Sequence, residues 1–369
     1  MNSRKLEIDK KVVCLSGLRE ELKLDGIYLA KAMNFSWLTA GGCDRVVTGS
    51  DTGPAAILLM GEKKYVLAPR NEIDRFMDEE VLGLGFEPVT FDWYASKEKI
   101  LLDLVGKKKV AVDHPMGNLP VLGRELNRLR FSLTEEEVER AKKIGAVSSE
   151  VLAEACRNLT PGQTEQEIEG EIAGELLASG IKPAVLLVGT DERPFKYRHP
   201  IPTVKKFNNY AVVGVVAEQG GLHLALTRTV SIGKVGDDIQ KLYQSTLKVQ
   251  AAYLSASQPG TNTDAIFKQG CLAYANEGFP DEWQRHHQGG AIGYAPREYR
   301  IGEGAAEVVE VNQMLAWNPT ILGTKCEDTV LTNQNGKLDF LTFVPDWWPK
   351  EEILSEGYSF TLPSILVLD

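Results

Sequence analysis

Five histidines supply the side chains best suited to moving a proton near neutral pH: His114, His199, His223, His286 and His287. His199 stands in Arg198-His199-Pro200, where an imidazole either works as an acid or base or bonds the turn ahead of Pro200. His286 and His287 are adjacent, and on a strand they would point to opposite faces, so one of them, His286, is expected in a pocket. His223 precedes Ala225 by two residues, so strand alternation gives both the same face, whether that face is a site or a polar surface. Glu327, between Cys326 and Asp328-Thr329-Val330, is a carboxylate in an apolar run and needs a partner: a ligand cation, His199 or Arg228. Arg228 alternatively serves as a sheet-spanning ion-pair partner. Arg297 and Glu298 open the charged run Arg-Glu-Tyr-Arg; Arg297 either favours a carboxylate on the ligand or makes a surface ion pair. Cys326 is a poor nucleophile, because the two acids that follow it raise a thiol's pKa. The Gly-rich tract HHQGGAIG is not a nucleotide loop, having neither a Lys-Ser/Thr ending nor the G-x-G-x-x-G order.

The elements that must position these groups fall into two halves. The first alternates β-rich runs (GIYLA from 26, AAILLM from 55, KYVLAP from 64, KKVAVD from 108) with helix candidates at 13–22, 71–81, 97–104 and 119–129. This is an α/β pattern containing only His114 and no catalytic constellation, which suggests a structural or oligomerisation role. The second half starts with a capping box, Thr134 to Glu137, ahead of a helix whose one face carries Val138, Ala141, Gly145, Leu152 and Ala155. A Pro-Gly turn leads to a second capping box, Thr164 and Glu167, and that helix ends at Ser179-Gly180. The unit recurs: a helix over 237–256, SQPGTNTDAIF, and a helical stretch to Glu277-Gly278, with Pro161 and Pro259 separated by 98 residues. β-rich runs follow each pair, the signature of a duplicated, pseudo-symmetric α+β domain with room for a pocket between its halves.

Length and composition bound what such a chain does. It has 369 residues, 43% of them hydrophobic and 25% charged, enough for two domains and a sizeable core. A net charge of -10 repels phosphate backbones and anionic lipid, so neither nucleic acid nor a membrane is an expected partner. The charged start MNSRKLEIDKKVV lacks the apolar core of a signal peptide, and no run approaches the ~20 apolar residues of a membrane span. Five scattered cysteines with no C-x-x-C pair fit reduced thiols and a cytoplasmic location.

Four segments, in order, resemble the creatinase, prolidase and aminopeptidase P superfamily: KYRHPIPT from 196, VVGVVAEQGGLHLALTRTV from 212, RHHQGGAIGYAPREY from 285 and MLAWNPTILGTKCEDTVL from 314. The resemblance implies an α/β N-terminal domain of the creatinase type over 1–131, an α+β pita-bread domain over 132–345 and a C-terminal tail over 346–369. It also implies a homodimer. Peptidases of that superfamily hold two divalent metals with two Asp, a His and two Glu, which activate a water and polarise a carbonyl. The matching positions here are Gly214, Ala225, Gly290, Asn318 and Glu327, so one ligand survives and no metal cofactor is expected.

Creatinase shows that the fold works without metal, and its acid/base histidine matches His199. His286 matches a substrate-contacting position and Glu298 the Glu of the family's His-Glu pair, with Arg297 in place of the His. The resulting expectation is a metal-independent hydrolase of a C–N bond, or a binder, for a small amidino or dipeptide-like ligand. In it His199, His286 and Glu327 are catalytic, and His223, Arg228, Arg297 and Glu298 contact substrate, with Glu327 and Glu298 holding a cationic group. The alternatives are a catalytically inactive binding or scaffolding homologue, and an Xaa-Pro peptidase with a displaced metal set of His199, His223, His286 and Glu327.

Overall fold

The computed structural model describes residues 3–369. Backbone contacts divide it into Met1–Glu137 with Gly220–Leu222, and Val138–Gln219 with His223–Asp369.

The first unit is built on a five-stranded sheet in the order Phe86–Phe91, Lys63–Pro69, Thr52–Met60, Gly26–Lys31, Val110–Val112. Its outer pairs are parallel and its inner pairs antiparallel. All four strands expected from the sequence are present, and Phe86–Phe91 is added at one edge. That strand escapes hydropathy because its pattern buries only its two end residues. The first helix runs from Ser3 to Glu21, much further than 13–22, and Ala32–Leu38 forms a helix with no sequence expectation. Tyr28, Leu58, Leu67, Leu101 and Val105 form the core on one sheet face. His114 is exposed beyond the sheet's last strand.

The helix Glu135–Arg157, most of which belongs to the second unit, is entered through the expected reciprocal bonds between Thr134 and Glu137. Thr164 and Glu167 cap Glu165–Ala178 in the same way, and the chain leaves that helix through Gly180 at φ 72°. Asp237–Ala256 and Thr263–Asn276 form the second helix pair. The duplication extends to backbone detail. Thr164 bridges Lys206 and Asn262 bridges Val308, while Gly162 and Gly260 donate to Phe207 and Val309, so equivalent bonds recur, with an offset of 98 residues on the first side and 102 on the partner side.

Strands from both halves meet at the site. One sheet runs Leu366–Leu368, Leu222–Ile232, Tyr210–Gln219, Lys182–Thr190; the other runs Tyr299–Arg300, Gly289–Ala291, Met314–Trp317, Asp328–Thr332, Leu338–Phe340. An isolated bridge, Thr227 to Glu327, joins them. Behind the second sheet, Tyr243, Leu247 and Tyr253 of the long helix share a core with Trp317, whose indole stacks on Tyr253 at 5.4 Å and donates to the Ser257 hydroxyl. The last residues, set apart in the sequence as a tail, form the hairpin Lys350–Ser355/Tyr358–Pro363, and Leu366–Leu368 adds in parallel beside Val230–Ile232.

Candidate active site

The tract 285–290 delivers two imidazoles to one place. A short 3-10 turn, Glu282–Arg285, releases the chain at His286 into extended backbone, and Gly289–Ala291 then joins the sheet. Buried Gln288 anchors the tract: its amide donates to the carbonyls of Trp283 (3.1 Å) and His286 (2.6 Å), and its Oε1 accepts from the hydroxyls of Tyr253 and Tyr274. His199 arrives from a separate loop, held by the ion pair of Arg198 with Glu282. The Nε2 atoms of His286 and His199 are 3.1 Å apart, one donating and the other accepting. His287 joins them, its ring 4.6 Å from that of His286 and 6.2 Å from that of His199.

Glu327 forms the second focus. Lys325 donates to its Oε2 at 2.8 Å, Arg297 to its Oε1 at 2.9 Å, and the Thr227 hydroxyl to its Oε2 at 3.0 Å. Burial pushes this carboxyl's pKa up, but the charges of Lys325 and Arg297 and the bonds from Lys325 and Thr227 outweigh it and hold the pKa at about 2. Glu327 is therefore ionised throughout the neutral range.

Two cavities share His199 and His287. One, of about 350 Å³, is lined by the polar Lys325, Glu327, Arg297, Arg300 and Asn318, by Gly214, and by the apolar Val185, Leu187, Ile201, Val215 and Val216. The other, of about 540 Å³, includes His286, Arg198, Trp283 and Glu303. Burial, and then the charges of Lys325, His287 and His199, push the His286 pKa down to about 2. Burial with Arg297 and Arg300 pushes His287 to about 4, and burial with Lys325 lowers His199. All three imidazoles are thus neutral at pH 7 and offer both a donor and an acceptor.

The structure distributes the expected residues unevenly. His199, His286, Glu327 and Arg297 line these cavities. His223 does not: it is buried, with Nδ1 3.0 Å from the Gly293 carbonyl. Arg228 is buried away from both cavities, paired through two nitrogens with Asp328 (2.8 and 3.2 Å) and bonded to the carbonyls of Thr227 and Phe343. It is the sheet-spanning ion-pair partner rather than a partner of Glu327. Glu298 turns back to accept from the Ala295 amide. Both Glu327 oxygens already face protein cations, so Glu327 and Glu298 do not form a joint grip for a ligand cation. His286 and His287 also do not divide between two faces, because they follow a turn rather than sit in a regular strand. Lys325, Arg300 and Gln288 escaped the sequence reading. Lys325 had a signal, standing two residues before Glu327 in an extended run.

The two-metal group implied by the resemblance does not fit these residues. Gly214 and Ala225 have no donor, and a Cβ built on Gly214 would lie 3.9 Å from Lys325 Nζ, so the ammonium borders the space an aspartate there would enter. Gly290 has φ 149°, and a Cβ on it would come within 2.2 Å of the Tyr299 carbonyl oxygen, leaving no room for a ligating side chain. Asn318 presents a neutral Oδ1 without a hydrogen-bond partner, and Glu327 is engaged by two cations. Among the described residues, His199, His286 and His287 are the set with ligand spacing, their donor atoms within 4.8 Å of one another. The charges of Lys325, Arg297 and Arg300 act on this trio and oppose a divalent ion there.

The sequence pattern described as metallopeptidase family M24 matches residues 139–334. A probable dipeptidase PepE from Mycobacterium bovis is 28% identical over 231 residues, which is 60% of this chain and 61% of the relative; the match thus spans about three fifths of that protein's length. An Xaa-Pro dipeptidase from Pyrococcus furiosus is 24% identical over 336 residues, 86% of this chain and 93% of the relative. The crystal structure of dipeptidase PepE from Mycobacterium ulcerans superposes with a TM-score of 0.78 over 98% of each chain at 20% identity, a likeness of fold. No helix among the described residues is long and apolar enough to cross a membrane.

Proposed function

The chain belongs to metallopeptidase family M24, and from that premise we propose that it is a metal-independent member, binding a small nitrogenous or dipeptide-like ligand at the His199–Glu327 pocket. The observation that carries this reading is the state of Glu327. The one carboxylate left at the family's ligand positions is neutralised by Lys325 and Arg297 rather than held ready for a metal. Around it stand two neutral imidazoles, His199 and His287, and the Asn318 amide, a set that hydrogen-bonds amide and carbonyl groups in either sense.

If the ligand is turned over, the step is hydrolysis of its C–N bond. Water adds to the carbonyl carbon and gives up a proton to a neutral imidazole, the C–N bond breaks, and the leaving nitrogen takes a proton. His199 suits that exchange, because it is the exposed member of the pair and His286 Nε2 backs it through the shared hydrogen bond. Tyr253 and Tyr274 act at one remove, orienting the tract through Gln288.

A thermal-shift screen over Xaa-Pro dipeptides and amidino compounds, with hydrolysis followed by chromatography with and without EDTA, tests the reading. Stabilisation by a dipeptide, with any turnover insensitive to chelator and lost in His199→Gln, supports it. Activity that EDTA abolishes and zinc, manganese or cobalt restores overturns it. A second reading, an inactive binding module, is favoured by the neutral Gly214, Ala225 and Asn318 and predicts binding without any product. We further propose that the chain forms a homodimer, a reading that rests on the family resemblance alone.

A further inference from the structure

In the first unit, the loop 42–51 joins the helix Ala32–Leu38 to the strand Thr52–Met60. Its two arms are pinned separately. On the first arm, the Gly42 amide donates to the Thr39 hydroxyl at 3.1 Å and the Cys43 amide to Glu80 Oε2 at 2.8 Å. On the second, the Asp51 carbonyl accepts from the Ala32 amide at 2.8 Å. Asp44 closes the gap between the arms. A Cβ built on Gly53 would lie 2.4 Å from the Asp44 carboxyl carbon and Oδ2, so the carboxyl rests on a spot that a larger residue would fill. Asp44 is 1% exposed, yet neither of its carboxyl oxygens has a hydrogen-bond partner. Buried polar groups are ordinarily bonded, and a buried carboxylate without a partner is costly, whereas its neutral acid is not. Two cations act on it, Arg45 on the same loop and Lys97 at the start of the helix Lys97–Val105. The Lys97 ammonium is turned to the Gly53 carbonyl at 3.1 Å. Arg75 and Glu80, from the adjoining helical segments, pair with each other at 2.9 Å and meet the backbone of Cys43. Beyond Asp44 the loop exposes Val46 and Val47 at 64% and 68%.

We propose that the base of this loop is a proton-operated latch, seated on Gly53 while Asp44 carries a proton and unseated when the carboxylate ionises and turns to water or to Lys97 and Arg45. The valine tip is then held in one place in acid and released as pH rises. Burial raises the Asp44 pKa from 3.8 to about 6, against the lowering influence of Arg45, the amides of Gly53 and Asp44, and Lys97. The seated form thus holds its proton more tightly than an exposed carboxyl does. The opening constant accordingly climbs about tenfold per pH unit between 3.8 and about 6, about a hundredfold in all, and is level above that. None of these residues lines the proposed ligand pocket, so either idea can fail while the other stands.

Hydrogen–deuterium exchange of the full chain from about pH 4 to about pH 7.5, corrected for the intrinsic pH dependence of amide exchange, tests the latch. The readout is protection of the Cys43 and Ser50 amides, which donate at 2.8 and 3.1 Å, relative to the inner strand Gly26–Lys31. Wild-type protection is expected to fall by about a hundredfold up to pH 6 and then stay level. Asp44→Asn keeps the shape but not the titration and is expected to give a level profile. Gly53→Ala puts a methyl on the carboxyl's seat and is expected to give low protection at every pH. A level wild-type profile, the same fall in Asp44→Asn, or wild-type protection in Gly53→Ala overturns the proposal. If a variant disturbs the reference strand, the wild-type profile measured against that strand decides.

Discussion

At the scale of single residues, the site is governed by what three cations do to one carboxylate and three imidazoles. Lys325 and Glu327 are both nearly buried, with side-chain exposures of 11% and 4%. Lys325→Met therefore leaves a buried carboxylate with one partner fewer, and urea unfolding is expected to show a loss of about 3 kcal/mol, typical of a broken buried pair. The imidazoles supply a pH dependence of definite sign. His286 and His287 sit at about 2 and about 4, below the ordinary 6.5, so the unfolded chain takes up protons before the folded one does. Their contribution is complete above pH 6.5 and is lost as pH falls, down to about 4 for His287 and about 2 for His286. His287→Gln is expected to flatten that part of the stability profile, measured as urea midpoint against pH; an unchanged slope refutes the assignment.

At the scale of elements, the strand Gly289–Ala291 is constrained through its backbone. Gly289 and Gly290, at φ 105° and 149°, carry the strand Gly289–Ala291 so close to its neighbours that a Cβ on either would meet a carbonyl oxygen at 2.2 Å. Gly290→His therefore does not rebuild a ligand. Its expected outcome is strain at the pairing of Gly290 with Arg300 and Ala316, read as a lowered melting temperature with no gain in metal content. A stable variant that binds cobalt would contradict this. The same narrow tract explains why His286 and His287 cooperate. A strand long enough to alternate would have separated them, whereas a turn followed by three strand residues places both rings on one side.

At the scale of the whole molecule, the duplicated helix pairs of the second unit hold two sheets that meet at the Thr227–Glu327 bridge. That junction puts Glu327 beside side chains far away in sequence. The stability of such an assembly owes nothing to a metal if the site is as proposed. Chelator is therefore expected to leave the unfolding midpoint unchanged, and elemental analysis of protein purified without chelator should find less than stoichiometric zinc, manganese or cobalt. A midpoint lowered by EDTA would count against the proposal. Light scattering of the full chain tests the proposed homodimer, and a monomer at all concentrations removes it.

Local chemistry was enough to establish much of this protein. The capping boxes at Thr134 and Thr164, the Pro-Gly turns and the alternation of apolar residues act over a few positions, so the helix pairs, most strands and the absence of ligating atoms at Gly214, Ala225 and Gly290 were legible from the chain. So was the grouping of His199, His286, Arg297 and Glu327, because a resemblance in four ordered segments carries spatial information that composition does not. What only tertiary structure decided is charge balance. Arg228 pairs with Asp328 and is thereby withdrawn from the cavity, while Lys325 and Arg297 close on Glu327 from different strands and loops. An ion pair is fixed by distance and burial across the fold, and neither is written in the spacing of residues along the chain.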